Sequence, residues 1–315
     1  MNFGSLVHIP AIQKTAGCRV TAICDGGSGS SYKVKKLKGL KCQIFDNYLD
    51  LIKSKDVDIV SIAAPTYLHS EILKNCLTLK KNVICEKPFG LSFEDIKGIA
   101  RKMDNQNLVN IVNYEFRYEF LMNKLKKLIK KKSLGDILKL KVDWRIKSLN
   151  KRNTWKEKIS MGGGVVNELL CHVLDYINFL LSKKIDYSQS IEKKKIKKNS
   201  LEMNFLKKNT IIEINIVKST LIQQSYHNIE VEGKLGKATL KYFMPFCSKS
   251  KKLLISSNKN ENIVKIKDDN LFFSDDRISS FHNLLSSELK KKLNIFSTNF
   301  LYSEYLRKQL DSILR

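Results

Sequence analysis

The chain has 315 residues, 43% hydrophobic and 28% charged, with 57 Lys and Arg against 31 Asp and Glu for a formal net charge of +26. That length and balance build one large domain or two ordinary ones around a self-sufficient core, which excludes a disordered tail and a small stapled scaffold. Seven scattered cysteines without a Cys-x-x-Cys pair argue against a disulfide framework or zinc knuckle and for a reducing cytoplasm, and the longest clean apolar stretch, Ile59 to Pro65, is far below the ~20 residues of a bilayer span, so no membrane partner is expected.

Over the first 113 residues short β-branched runs alternate with helical patterns. Strands are expected at Val20–Cys24, Val57–Ala63, Asn82–Cys85 and Val109–Val112. Between them, residues 46–54, 69–80 and 92–104 read as helices, the last opened by Ser92 with Asp95 three places on, the spacing of a capping box. Such alternation makes parallel βαβ units, and right-handed crossovers wind them into a Rossmann-like sheet. After residue 113 the rhythm changes. Residues 118–132 read as a helix ending in lysines, Ile137–Lys147 as a strand with one exposed face, and Gly162-Gly163-Gly164 as the opening of a helix over about 165–181. Strands follow at 201–206, 210–218, 227–232 and 237–243, loops at 248–270, and helix over the last 40 residues. The expected fold class is an α/β Rossmann-like doubly wound parallel sheet (residues 1–113) followed by an α+β domain with a mainly antiparallel sheet (residues 114–315).

The excess of positive charge invites a nucleic-acid reading. Of the 57 basic residues, however, 49 are Lys and 8 are Arg, and they are spread along the whole chain. Nucleic-acid footprints favour clustered Arg with interleaved aromatics. Abundant Lys, Asn and Ile follow from an AT-rich coding sequence. No dedicated nucleic-acid binding is expected, whereas attraction for anionic small molecules, including nucleotides, is.

Three motifs carry chemistry. Gly4-Ser5, running into Leu6-Val7-His8-Ile9-Pro10-Ala11, has the form of the glycine turn that lets backbone approach a pyrophosphate at a helix N-terminus. Asp25 ends the strand that follows, 21 residues after Gly4, where a carboxylate receives a ribose hydroxyl in dinucleotide-binding folds. Cys85-Glu86-Lys87-Pro88 directly follows a strand, and ligands of doubly wound sheets gather at strand carboxyl ends. The third is residues 162–175, GGGVVNELLCHVLD. Glu168 and His172 are four apart, Asp175 is three further on, and a carboxylate beside a histidine tunes a general base near neutral pH. Singly, each has a plainer reading: a terminal turn, a strand-end Asp, one more surface Lys, a half-buried helix His.

Together, in this order, the motifs resemble the glucose–fructose oxidoreductase/inositol dehydrogenase (Gfo/Idh/MocA) family over roughly residues 2–242. Ala64-Pro65-Thr66 with His69, the Asn113-to-Arg117 crossing and the Ile229–Leu240 hairpin belong to the same likeness. The resemblance implies an NAD(P)-dependent dehydrogenase of a sugar, inositol or nucleotide-sugar that forms a homodimer or homotetramer through its C-terminal sheet. It implies cofactor contacts from Gly4, Ser5, Asp25, Pro65, Thr66, His69, Glu86 and Lys87. It makes Lys87 and His172 catalytic. Glu168 is expected to orient His172, Arg117 and Asp175 are candidates for substrate or structural contacts, and no metal site is indicated, since Glu168 and His172 lack further ligands beside them. NAD is expected over NADP, which is not excluded. Relatives on the same scaffold hydrolyse glycosides through transient oxidation by a tightly held NAD, and a non-catalytic binding protein is a further alternative. The sequence departs from the family's pattern at Thr66, where Asn is usual, at Glu168, where Asp is usual, and ahead of Gly4, where the family's first strand stands. The expected start is therefore upstream, and a 315-residue form without that strand is expected to fold poorly and bind NAD weakly.

Overall fold

The computed structural model describes residues 3–24, 40–148, 154–189, 191–243, 251–257, 261–264, 275–289 and 298–314. They form two compact units: Met1–Asn113 with Phe281–Tyr305, and Tyr114–Ser280 with Leu306–Arg315.

The first unit holds five short strands: β1 (Ala22–Cys24), β2 (Gln43–Phe45), β3 (Ile59–Ile62), β4 (Asn82–Cys85) and β5 (Asn110–Val112). Every pairing is parallel, β1 with β2 and β3-β4-β5 in order, and the described connections from β3 to β4 and from β4 to β5 cross over through helices. The helices are α1 (Ile9–Lys14), α2 (Tyr48–Lys53), α3 (His69–Thr78), α4 (Phe93–Ile96) and α5 (Ile99–Asn105). Ile72, Leu73 and Cys76 of α3, with Ile99, Ala100 and Met103 of α5, are buried, as are Val83, Ile84 and Cys85 of the central strand. This is the expected doubly wound α/β arrangement, but its sheet is in two pieces. Among the described residues no strand joins β1 to β3, and in the order 3-2-1-4-5-6 that gap is the place of the first strand. Two details differ from expectation. β2 was not read from its three residues, and the helix over 92–104 breaks at Gly98, whose φ of +79° leaves the helical region. The capping box is present: Asp95 N–H donates to Ser92 Oγ at 3.2 Å and Ser92 N–H to Asp95 Oδ2 at 3.1 Å.

The second unit is built on one eight-stranded sheet. Its strands are β6 (Ile137–Lys147), β7 (Ile191–Lys197), β8 (Ser200–Lys207), β9 (Thr210–Ser219), β10 (Tyr226–Gly233), β11 (Gly236–Phe243), β12 (Lys251–Ser257) and β13 (Glu261–Val264), in the spatial order β13-β12-β11-β10-β6-β9-β8-β7. All neighbours are antiparallel except β6 and β9. Alternation puts Leu140, Val142, Trp144, Ile212, Ile214, Ile216, Ile229, Val231 and Leu240 on the buried face. Two helices, α6 (Phe120–Lys130) and α7 (Cys171–Leu181), are packed together, and α6 lies on β11 and β12. Lys141, Asp143, Asn228, Glu230, Lys237, Thr239 and Lys241 line a shallow polar depression on the sheet. The chain ends with α8 (Asp276–Glu288) and α9 (Phe300–Leu314).

The loop expected at 248–270 is corrected by β12 and β13, which extend the sheet. In β12 Leu253 is buried on the same face as Lys251, so an inward face hides within a Lys- and Ser-rich string. β7 was missed for a similar reason: it is an edge strand of Ile-Glu-Lys-Lys-Lys-Ile-Lys, and lysines on an edge discourage further pairing. Residues Ile159–Leu181 have the length and hydropathy of a membrane span, yet 83% of that window is buried inside the protein.

Candidate functional site

In the first unit the motif residues gather at the carboxyl ends of β3, β4 and β5. Gly4 opens a π-helical turn, Gly4–His8, that runs into α1. A Cβ on Gly4 would stand 3.3 Å from the Cβ of Ala63, one residue past β3, so the glycine allows the turn to lie close to the strand end. Ser5 follows on the same turn. Asp25 lies outside the described residues.

Pro65 leads into a 3-10 turn, Thr66–Leu68, with Thr66 buried. His69 begins α3 and is buried between two turns: its Nε2 lies 2.9 Å from the Ala64 carbonyl and its Nδ1 3.1 Å from that of Pro88. Burial pulls its pKa below the ordinary range against the opposing pull of both carbonyls, and the ring lies between one turn and the other. Glu86 is also buried. Its Oε1 accepts from Asn113 Nδ2 at 2.6 Å and pairs with His8 Nε2 at 2.7 Å, while His8 Nδ1 meets Ser61 Oγ at 2.7 Å. Burial by itself would raise the Glu86 pKa. The His8 hydrogen bond and charge, the Lys87 charge and the Asn113 hydrogen bond outweigh it and hold the carboxyl ionised. Lys87 is half-buried and follows directly.

A nicotinamide dinucleotide fits these residues on one observation in particular. Asn113 is fully buried at the end of β5, and its Oδ1 has no hydrogen-bond partner among the described residues. A buried acceptor left so is costly unless a ligand or water supplies a donor.

In the second unit three glycines shape the entry to α7. Gly162 and Gly164 have φ of +89° and +85°, and a Cβ on Gly163 would fall 2.2 Å from the Lys156 carbonyl oxygen. The next turn, Val166–Leu170, is π-helical, a feature common at functional sites. It also alters the register on which the Glu168–His172 spacing was read. Glu168 Oε1 lies 3.3 Å from Lys218 Nζ, which is 3.5 Å from Glu157 as well. Arg307 of α9 reaches the same turn, donating from Nη1 to Asn167 Oδ1 at 2.8 Å. His172 is buried, with the edge of Phe116 at 5.1 Å between centroids. One turn on, Asp175 takes Arg117 Nε at 2.8 and 2.9 Å and Arg117 Nη2 at 2.6 Å. The structure thus brings Arg117 and Asp175 together as a buried ion pair, hydrogen-bonded through Nε. Lys87 belongs to the first unit, and His172 and Glu168 belong to the second.

Sequence reasoning did not single out His8, Ser61, Arg307 or His227. A lone histidine on an apolar helix, such as His8, reads as core until its partners are known. His227 is stacked on Trp144 at 4.1 Å and on Tyr242 at 5.3 Å, with the Tyr176 hydroxyl 3.0 Å from its Nε2. Burial drives its pKa down to about 3. The unfolded chain then binds a proton below the ordinary His range that the folded chain refuses. Stability is full above pH 6.5 and falls by up to about 1.4 kcal/mol per pH unit as pH drops toward 3. Denaturant unfolding of His227→Phe across pH 4–7 is expected to show a flatter dependence than the parent; parallel curves would exclude this origin.

Residues 2–114 match the oxidoreductase family with an NAD-binding Rossmann fold, and residues 126–299 match that family's C-terminal alpha/beta domain. An uncharacterized oxidoreductase of Synechocystis is 29% identical over 181 residues, covering 56% of this chain and 48% of its own. Levoglucosan dehydrogenase of Pseudarthrobacter phenanthrenivorans is 28% identical over 142 residues, 44% of this chain and 36% of that one. The matches therefore span about half, or less, of these relatives' length. A solved levoglucosan dehydrogenase in complex with NADH and levoglucosan shares the fold, with a TM-score of 0.79 at 15% identity over 99% of this chain and 94% of the other. With both domains matched in order, the chain belongs to the Gfo/Idh/MocA oxidoreductase family, an NAD-binding Rossmann domain followed by a C-terminal alpha/beta domain.

Proposed function

We propose that the protein is an NAD(P)-dependent dehydrogenase of a secondary alcohol on a sugar, inositol or nucleotide-sugar. The observation that carries this reading is the Glu86-Lys87-Pro88 turn at the carboxyl end of β4, beside the open acceptor of Asn113, in a chain of this family. Levoglucosan dehydrogenase, among the relatives, supports a sugar substrate. The bound nicotinamide would exchange a hydride with the alcohol carbon. Gly4 and Ser5 would receive the pyrophosphate, and Pro65, Thr66, His69 and Glu86 would shape the nicotinamide end. His172 would take the hydroxyl proton, and Lys87 would hydrogen-bond the oxygen as negative charge develops there. Glu168 would act on His172 from the preceding turn. Assembly as a homodimer or homotetramer through the C-terminal sheet completes the proposal.

The test is titration of the protein with NADH by nicotinamide fluorescence, followed by a panel of sugars, inositols and nucleotide-sugars with NAD and NADP. Binding with alcohol-dependent reduction is expected. Cofactor binding without turnover on any member would favour a binding protein, and release of sugar from an aryl glycoside without added cofactor would favour a hydrolase.

Cofactor choice rests on Asp25. A carboxylate accepts from both ribose hydroxyls and repels a 2′-phosphate. NAD is expected to bind at least about tenfold more tightly than NADP, with Asp25→Ser narrowing the ratio. Equal affinities in the parent would show that the lysines at 33, 35 and 36 receive the phosphate instead.

A further inference from the structure

We infer that His8 is the positioning residue of the first unit's site, acting through Glu86 to set where Lys87 stands. The inference rests on the dehydrogenase reading above and adds a residue that neither the motif nor the family description assigns.

The geometry is a clamp. Four segments converge at the strand carboxyl ends: His8 from the turn after Gly4, Ser61 from β3, Glu86 after β4 and Asn113 after β5. Glu86 Oε1 is the common acceptor, at 2.7 Å from His8 Nε2 and 2.6 Å from Asn113 Nδ2. An ionised carboxylate can only accept, so His8 carries its proton on Nε2. Nδ1 meets the Ser61 hydroxyl at 2.7 Å, which fixes the ring plane. Phe281 packs on the imidazole at 4.3 Å between centroids and Phe3 meets it edge-on at 5.7 Å. The ring is thus held by hydrogen bonds at both nitrogens and by aromatic contact.

Such a clamp bears on Lys87 because Glu86 is its neighbour in the chain. The Glu86 carboxylate and the Lys87 ammonium attract one another, and a fixed Glu86 peptide fixes the start of the Lys87 side chain. The same carboxylate holds the amide of Asn113, and so the direction of the open Oδ1. One histidine thereby orients the donor proposed for the substrate oxygen and the acceptor proposed for the nicotinamide end. Removing it leaves Glu86 buried with fewer donors. The carboxyl then takes up a proton, and the Lys87 ammonium loses a nearby stabilising anion.

The experiment compares His8→Leu, His8→Gln and Ser61→Ala with the parent. The first reading is made on cofactor-free protein: the rate at which Lys87 is acylated by an N-hydroxysuccinimide ester at pH 8, followed by mass spectrometry of its peptide. Leucine is expected to raise that rate about threefold or more, because the free amine reacts and the ammonium does not. Glutamine, which restores a donor to Glu86, is expected to return it toward the parent value. The second reading is kinetic. His8→Leu is expected to lower kcat by up to about 100-fold with little change in the KM for substrate, the signature of a displaced catalytic group rather than a lost binding contact. Should His8→Leu not fold, Ser61→Ala carries the test, with an intermediate rise in labelling. Lys87 labelling that is the same in parent, leucine and alanine variants overturns the positioning role while leaving the dehydrogenase reading intact. Altered labelling in a protein that turns over no alcohol upholds the clamp and overturns the dehydrogenase reading instead.

Discussion

His172→Ala is expected to lower turnover by about 100-fold or more, the usual share of a general base, while NAD binding stays within about twofold of the parent. The two effects separate because His172 belongs to the second unit, on α7, whereas the residues proposed for the cofactor belong to the first. Lys87→Ala is expected to impair turnover to a similar extent and to weaken cofactor binding as well, since Lys87 sits in the turn that the nicotinamide end would meet. Stopped-flow reduction of NAD with the preferred alcohol measures the first quantity, and fluorescence titration with NADH the second. Unchanged turnover in both variants would remove the catalytic assignment. Glu168 provides a finer test. Its carboxylate meets Lys218 and stands on a π-helical turn. If it acts on His172, Glu168→Gln shifts the pH profile of kcat; a Gln variant with the parental profile assigns Glu168 to the Lys218 ion pair alone.

The parallel strands were legible because a strand covered on both faces reads as a continuous β-branched run, as in Asn82-Val-Ile-Cys85. The antiparallel strands β8 to β11 were legible from alternation, since one face is apolar and the other polar. β2, β7, β12 and β13 were not. β2 has three residues, too few for a period; in β7 and β12 polar and lysine residues outnumber the apolar ones, and β13 has only four residues, two of them polar, although pairing with a neighbour is enough to extend the sheet. The candidate site divides in the same way. Glu-Lys-Pro and the triple glycine are contiguous motifs whose residue types carry their own physical reason. The His8–Glu86–Asn113 clamp joins positions 78 and 27 apart in sequence, and no local spacing reports it. The π-helical turn shows the limit of spacing arguments even within a motif, because counting by fours from Glu168 to His172 assumes an α-helical register that Val166–Leu170 does not keep.

Arg117 and Asp175 yield the largest expected stability effect. Their side chains are 3% and 1% exposed, and the guanidinium hydrogen-bonds the carboxylate through Nε with Nη2 2.6 Å from Oδ1. Neither charge has water to turn to if the other is removed. Breaking such a buried pair by deleting one partner costs about 3–5 kcal/mol, because the remaining charge is left desolvated. Asp175→Ala and Arg117→Ala are each expected to lower the midpoint of thermal unfolding by about 10 °C or more. The paired replacement Arg117→Met with Asp175→Leu is expected to recover much of that loss, since apolar groups of similar volume need no partner. The outcome decides between two roles for the same residues. If the pair is architectural, it holds the segment after β5 against the His172 helix, and the double variant regains stability and retains substrate KM. If Asp175 or Arg117 leaves its partner to bind substrate, the double variant regains stability but its KM rises by at least about tenfold, the cost of one charge-assisted hydrogen bond. Calorimetry and steady-state kinetics on the three variants separate the cases, because the buried geometry makes stability and recognition depend on the same two groups in opposite ways.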